Sequence, residues 1–330
     1  MAASSESTSV DLGFVVGPLN AEDLEPIPDT RWMIASGMVI GEQTQGHLYL
    51  VDTEAKTSEE IFPAEAAYEP AGAPYDTEPP DASIIDAHGL ALRPGDGGVH
   101  TLYVVNHGGR EAIEIFTVDA RGDRPTLTWI GAVIQYPGVW GNAVDWLTDG
   151  GIVITNYLDL NDPTAFDKVY AGEVTGNLKQ WHPDTGWVDV PGTACSSPNG
   201  VAATRDGRWW FICSWSAKTL IRVSRDREPV QRDEVPVDCL ADNAKIDADG
   251  KVMIAGQIDE PATVFAAYRG ERAAVFPFLV MRFDPETLVG TEVLRGVNPD
   301  YGTAATGTIV GDELWLSNAI GDRLAYLPAP

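Results

Sequence analysis

The feature that most constrains this chain is a repeat of short strand-like runs. Apolar and aromatic stretches such as RWMIAS, HLYLVD, TLYVVN, AIEIFTVD, GIVITN, WWFICS, LIRVSR, KVMIAG, FLVMRFD and ELWLSN recur from end to end, punctuated by Gly, Asp, Asn and Pro. Runs of this kind between turn formers read as short strands joined by tight connections. They group into longer units, in which a polar residue and a small apolar stretch lead into a D-G or G-G turn, an aromatic strand and a closing strand. Examples are HGLALRPGDGGVHTLYVVNHGGREAIEIFTVD, SPNGVAATRDGRWWFICSWSAKTLIRVSRD and GTAATGTIVGDELWLSNAIGDRLAYLP. About six such units of roughly 40 to 60 residues match propeller blades. The predicted fold is all-β: a six-bladed β-propeller with four-stranded blades, forming one domain over residues 1–330 with residues 1–10 disordered. The run DLGFVVG near the N-terminus is expected to complete the last blade beside LAYLP and close the ring without a covalent link.

Long helical periodicity is absent. Two stretches break the rhythm, Phe62 to Asp81 and Asn156 to Glu173, and read as long loops from which a pocket lid could be built. Charge narrows the function classes. Lys and Arg number 22 against 49 Asp and Glu, a formal net charge of -27, which repels nucleic-acid backbones and anionic membranes. Met1 to Val10 has neither the basic start nor the apolar run of a leader, and no segment reaches the roughly 20 apolar residues of a spanning helix. A cytoplasmic location without membrane association is therefore expected. Cys195, Cys213 and Cys239 lack C-x-x-C spacing and read as buried, reduced thiols.

In a propeller the first strand of each blade lines the central channel, so polar residues at blade starts converge on the axis. Here they are Glu22 with Asp23, His88, Asn142, Asn199, and Asp242 with Asn243. Singly, an Asn before Gly is a turn former and an Asp-Asn pair a turn cap. Repeated over successive blades, polar residues gain nothing from a core position, and their oxygens suit calcium, which takes about six to eight of them.

The segments NAEDLEPIPDTRWMIASGM, DAHGLAL, TLYVVNH, GNAVDW, SSPNGVAATRDGRWWF and ADNAKIDADGKVMIAG, in this order, resemble the blade starts of the paraoxonase/arylesterase family, within the wider group of gluconolactonase and senescence-marker propellers. The resemblance implies a catalytic calcium held by Glu22, Asn142, Asn199, Asp242 and Asn243, and a His-His dyad of His88 and His107. It also implies a second, structural calcium on Asp23, on the carbonyl of Leu90 and on an Asp directly after Asn142. That last position is Ala143 in this chain, with Asp145 two residues on. The terminal disulfide and the N-terminal anchor of the family's animal members have no counterpart here.

The chemistry implied is hydrolysis of lactones or related esters. Calcium polarises the carbonyl, and a water activated by His88 attacks it while His107 orients or relays the proton. A metal-bound carboxylate, Glu22 or Asp242, is an alternative base. No G-x-S-x-G elbow or HExxH motif is present, which argues against acyl-enzyme and zinc routes. A strictosidine-synthase-like or isomerase-type propeller enzyme acting without hydrolysis, and a non-catalytic ligand-binding propeller, are the rival readings. The expected partner is a small-molecule lactone or ester, and Tyr68, Trp140 and Trp215 are expected in the pocket wall.

Overall fold

The structure is a computed structural model that describes residues 7–225 and 227–330. Within it, six four-stranded antiparallel sheets form a six-bladed β-propeller. Blade one comprises Ala21–Pro26, Trp32–Gly37, His47–Asp52 and Thr57–Phe62, and blade two Ala87–Arg93, Val99–Asn106, Ala112–Asp119 and Thr126–Ile134. Blade three comprises Val139–Trp146, Ile152–Asp159, Asn177–His182 and Gly186–Asp189, and blade four Pro198–Ala203, Trp209–Ser214, Thr219–Ser224 and Arg232–Pro236. Blade five comprises Leu240–Ile246, Val252–Gln257, Phe278–Phe283 and Gly290–Gly296. Blade six contains Gly307–Val310, Glu313–Leu316 and Arg323–Pro328, with Gly13–Val16 as its outermost strand.

The patterning follows burial. The second strands are covered on both faces and are largely apolar: every residue of Trp209–Ser214 and of Val252–Gln257 is buried. Outer strands have one wet face and alternate, as in Arg232–Pro236, with the period of two that a half-buried strand requires. Each gap between consecutive blades holds its own apolar cluster. Phe62, Phe116 and Trp129 pack between blades one and two, for example, and Leu24, Met33, Trp315 and Leu324 between six and one.

Ring closure takes the form expected from DLGFVVG. Gly13 to Val16 pair antiparallel with Tyr326 to Arg323, so both ends of the chain complete one sheet. The ammonium of Lys56 from blade one lies 4.6 Å and 4.3 Å from the ring centres of Trp315 and Tyr326 and pairs with Glu313, fastening blade one to blade six. The disorder expected over residues 1–10 lies outside the described residues for 1–6. It does not extend to Thr8–Val10: Val297 N donates to Thr8 O, and Val10 N donates to Val297 O.

Cys195, Cys213 and Cys239 are free and buried; burial pushes the Cys195 and Cys239 thiols up to about 12, which keeps them protonated and inert. The two long loops diverge in use. Residues 62–81 lie along blade two, where Tyr68 bridges Trp129 and Asp76 bridges Ala132, so this segment covers a sheet edge and is not a lid. Residues 156–173 include the short helix α1 (Ala165–Ala171), ended by Gly172 in the left-handed region at φ 68°. A second helix, α2 (Pro261–Tyr268), begins on a Pro at its first turn and was not foreseen. Among the described residues no helix is long and apolar enough to cross a membrane.

Strand Gly13–Val16 provides a test of closure. Val15 is 1% exposed inside the blade six/one cluster, whereas Val16 is 63% exposed. Val15→Ala is expected to cost about 2 kcal/mol, the transfer and cavity terms of a buried branched side chain, and Val16→Ala less than about 0.5 kcal/mol, as read by urea unfolding.

Candidate functional site

Five first strands carry the same irregularity. Pairing with the second strand is interrupted between Ala21 and Leu24, Ala87 and Leu90, Gly141 and Val144, Pro198 and Val201, and Ala241 and Ala244. In each case two residues face one on the partner strand, which is a β-bulge. The bulged pairs are Glu22-Asp23, His88-Gly89, Asn142-Ala143, Asn199-Gly200 and Asp242-Asn243. Bulges re-aim side chains and cluster beside functional sites; here they put the polar residues at one end of the channel. Small residues inside the pairs reflect the tight approach of neighbouring backbones. A Cβ on Gly89 would lie 2.4 Å from Asn142 O, and one on Gly200 2.4 Å from Asp242 O.

The residues singled out from the sequence meet at this end. Glu22, His88, His107, Asn142, Asn199 and Asp242 line one cavity of about 520 Å³. Asn243 Nδ2 donates to Glu22 Oε1 at 2.6 Å, and Gln257 Nε2 to Asp242 Oδ2 at 3.1 Å. Buried oxygens without a hydrogen-bond partner converge on the same place: Glu22 Oε2, Asn142 Oδ1 and Asn199 Oδ1, with Gln257 Oε1 behind them. A buried acceptor left unmet costs about 1–3 kcal/mol, and several together are the donor set of a hard cation. Asn243, as placed, offers its amide nitrogen to Glu22 and not its oxygen. Among the described residues no group of three or more His, Cys, Asp and Glu gathers as a metal site; the oxygens here come from two carboxylates and several amides.

Electrostatics agree with that reading. Burial, then Asp23 and Asp242, raises the Glu22 carboxyl well above its usual range, and burial pushes Asp242 up to about 7. Two carboxylates in so dry a place either hold protons or face a cation.

The two histidines form a chain. His88 Nδ1 lies 3.0 Å from His107 Nε2, and His107 Nδ1 lies 2.7 Å from Glu111 Oε2. The Glu111 carboxylate accepts, so His107 carries its proton on Nδ1 and its Nε2 accepts from His88 Nδ1–H. The lone pair of His88 is thereby left on Nε2, which faces Asn142 Nδ2 at 3.3 Å and Glu22 Oε1 at 3.8 Å. Burial, then His107, holds His88 well below the ordinary imidazole range. Glu111 was not foreseen; its signal in the sequence is its place four residues after His107.

The second ion expected on Asp23, Leu90 and Asp145 does not fit. Lys245 Nζ donates to Asp23 Oδ2 at 2.8 Å, Glu25 Oε1 at 2.6 Å and Leu90 O at 2.8 Å. Asp23 also accepts from Leu24 N, Leu90 N and Thr306 Oγ1. Asp145 turns elsewhere, held bidentate by Arg205 and by the Ala203 amide. A Lys in an otherwise strand-like run gave no sign of this.

Trp140 and Trp215 stand in the pocket wall as expected; Tyr68 does not, since it packs on Phe62 and Trp129 in blade two. Tyr157 from a second strand, Phe166 and Tyr170 of α1, and Phe265 and Tyr268 of α2 complete an aromatic wall that starts beside the dyad, with the His107 and Trp140 rings 5.7 Å apart. A larger cavity of about 680 Å³ opens at the opposite mouth among Pro26, Pro94, Trp146 and Ile246. It holds no histidine and none of the unpartnered oxygens, so the smaller one is the candidate site.

No family model matches the chain, and no curated protein matches its sequence. Solved structures do. A luciferin-regenerating enzyme is 12% identical with a TM-score of 0.56, covering 96% of this chain and 94% of its own. A protein assigned provisionally as a gluconolactonase is 15% identical at 0.55, covering 100% and 93%. Regucalcin from Agrobacterium tumefaciens, described as a calcium-binding protein, is 13% identical at 0.55, covering 98% and 96%. The shared feature is the fold, a six-bladed β-propeller.

The Asp242 shift predicts a pH signature. A carboxyl raised on folding binds its proton more tightly folded than unfolded, so its contribution is present at low pH and lost as pH rises from about 4 to about 7. In chelator, Asp242→Asn is therefore expected to raise the melting temperature above wild type at pH 7.5, with the gain shrinking towards pH 5. Added calcium should reverse the order.

Proposed function

We propose that this protein is a calcium-dependent hydrolase that opens lactones or cleaves related esters, as its resemblance to the paraoxonase/arylesterase family implies. The observation that carries the reading is the Glu111–His107–His88 chain ending on the unprotonated Nε2 of His88 beside the unpartnered oxygens of Glu22, Asn142 and Asn199. Neighbours that include a calcium-binding protein and a gluconolactonase-like one support it in general terms. Glu22, Asn142, Asn199 and Asp242 would hold the ion, joined by Asn243 once its amide turns to present oxygen. Bound there, calcium would supply Lewis-acid polarisation of the substrate carbonyl and charge stabilisation of the oxyanion.

The side chains account for the rest. His88 Nε2 takes the proton of the attacking water, and its own Nδ1 proton is held by His107. Glu111 keeps His107 in the accepting tautomer, as a carboxylate orients an imidazole in other hydrolytic sites. Trp140, Tyr157, Phe166, Trp215 and Phe265 exclude water from the far side and receive the apolar body of the substrate. Ser197 takes no nucleophilic part, since its hydroxyl pairs with that of Ser216.

His88→Gln is expected to lower kcat on a lactone panel by about 10²- to 10⁴-fold, the usual worth of a positioned general base, with calcium affinity near wild type. Glu111→Gln should do less. The base must be neutral to act, so activity falls as pH drops through the lowered His88 value; the acid limb of kcat/KM should lie below about pH 6.5 and vanish in His88→Gln. If His88→Gln keeps most of its turnover, Glu22 or Asp242 is the base. Chelation should abolish turnover and calcium restore it, and full turnover in verified metal-free protein would sink the calcium reading.

A further inference from the structure

On the same innermost strands, towards the cavity of the opposite mouth, lies a second group of charges that the reaction does not use. Lys245 comes from the first strand of blade five. Its three acceptors come from elsewhere: Asp23 and Glu25 from blade one, Leu90 O from blade two. An ammonium has three protons to donate, and all three are placed, at 2.6 to 2.8 Å. The Asp23 side chain is 1% exposed and that of Lys245 16%. Two carboxylates and a carbonyl converging from separate strands on one positive centre form the oxygen cradle that a divalent cation occupies in a protein. In this chain a side chain occupies it.

We propose that Lys245 is a resident cation standing in place of a structural metal ion, and that it ties the innermost strands of blades one, two and five together without any ion from solution. The physical difference is one of supply. A bound ion stabilises a fold only in proportion to its free concentration over its dissociation constant, whereas a tethered ammonium is present at fixed effective concentration. The assembly of the channel is thus independent of calcium, and any calcium requirement of this protein is confined to the mouth. The inference does not depend on the hydrolytic reading, because it concerns a different set of atoms.

Counting calcium equivalents by equilibrium dialysis, with terbium luminescence as a second probe, tests it. Wild type should bind none at this cradle, so Asp23→Asn should leave its stoichiometry unchanged; a loss of one equivalent in Asp23→Asn would show that an ion, not Lys245, fills the place. Lys245→Ala removes the ammonium and leaves the three oxygens, so it should bind one equivalent more than wild type. Its lowered melting temperature in chelator should be largely regained in millimolar calcium. Lys245→Met fills the space without a charge and should lose stability that calcium does not restore. An unchanged equivalent count in folded Lys245→Ala overturns the proposal. So does a Lys245→Ala protein that stays unfolded in millimolar calcium while Lys245→Met folds. If wild type binds nothing and Lys245→Ala binds one ion, the proposal stands while the calcium site at the mouth fails, which separates the two readings.

Discussion

Six innermost strands share one narrow axis, and the distance between neighbouring backbones there governs what each strand can carry. At Gly89 and Gly200 the next strand's backbone lies where a Cβ would have to sit. Crowding of this kind explains why the polar residue in those pairs is followed by glycine. The bulge in turn frees two residues per strand from ladder pairing, and the inward-pointing side chains at the mouth follow from it. Blade six is the exception. Its innermost strand pairs in regular register with its neighbour, and the residues flanking its first two strands, Thr306 and Ser317, donate their hydroxyls to the Asp23 carboxylate and to the carbonyl of Glu22.

One bulge also divides the charge of the channel into two tiers. Glu22 and Asp23 are adjacent, yet Glu22 faces the mouth cavity and Asp23 faces the cradle of Lys245. The deeper tier carries its own cation: Asp23 is surrounded by two backbone amides, a hydroxyl and an ammonium, and burial pushes Glu25, the ammonium's other carboxylate partner, up to about 7. The outer tier keeps two carboxylates of raised proton affinity among amide oxygens with no donor to meet them. An arrangement that spends its internal cation on the deeper tier leaves the outer one dependent on something from solution, be it protons or a metal. That asymmetry leaves the mouth, and not the deeper channel, without an internal cation.

Legibility in the sequence followed the range of the interactions. Blade number and strand class are repeated, local signals and could be read directly, and DLGFVVG closes the ring as a strand that the repeat leaves over. The blade-start residues were readable for the same reason, because polar-then-small pairs recur at equivalent places. Residues that enter the site from outside the repeat were not. Lys245 sits in a run that otherwise reads as a strand, Glu111 in a turn after GGR, and α2 in a stretch whose eight residues are too few for helical periodicity to declare itself. Tyr68 erred the other way: an aromatic in a long loop looked like a pocket residue, but the loop lies along Trp129 and Ala132 of blade two.

The sharing of blade six between the two ends of the chain bears on how the molecule is made. Gly13–Val16 leaves the ribosome before the other strands of the propeller and Arg323–Pro328 after them, so the earliest strand has no partner until the sixth blade has emerged. Five blades can form hairpin by hairpin as they emerge, but joining the ring closes a loop that spans all of them, an entropic step that has to wait for Arg323–Pro328. Until then Arg323–Pro328 has no neighbour on its outer side, and the stacked Trp315 and Tyr326 rings that later meet Lys56 stand uncovered. An unpaired edge with an apolar face is the surface on which nascent chains associate wrongly. Circular permutation, with the natural ends linked and new ones cut at a turn between two other blades, would let blade six form as a continuous meander and transfer the waiting period to a different sheet.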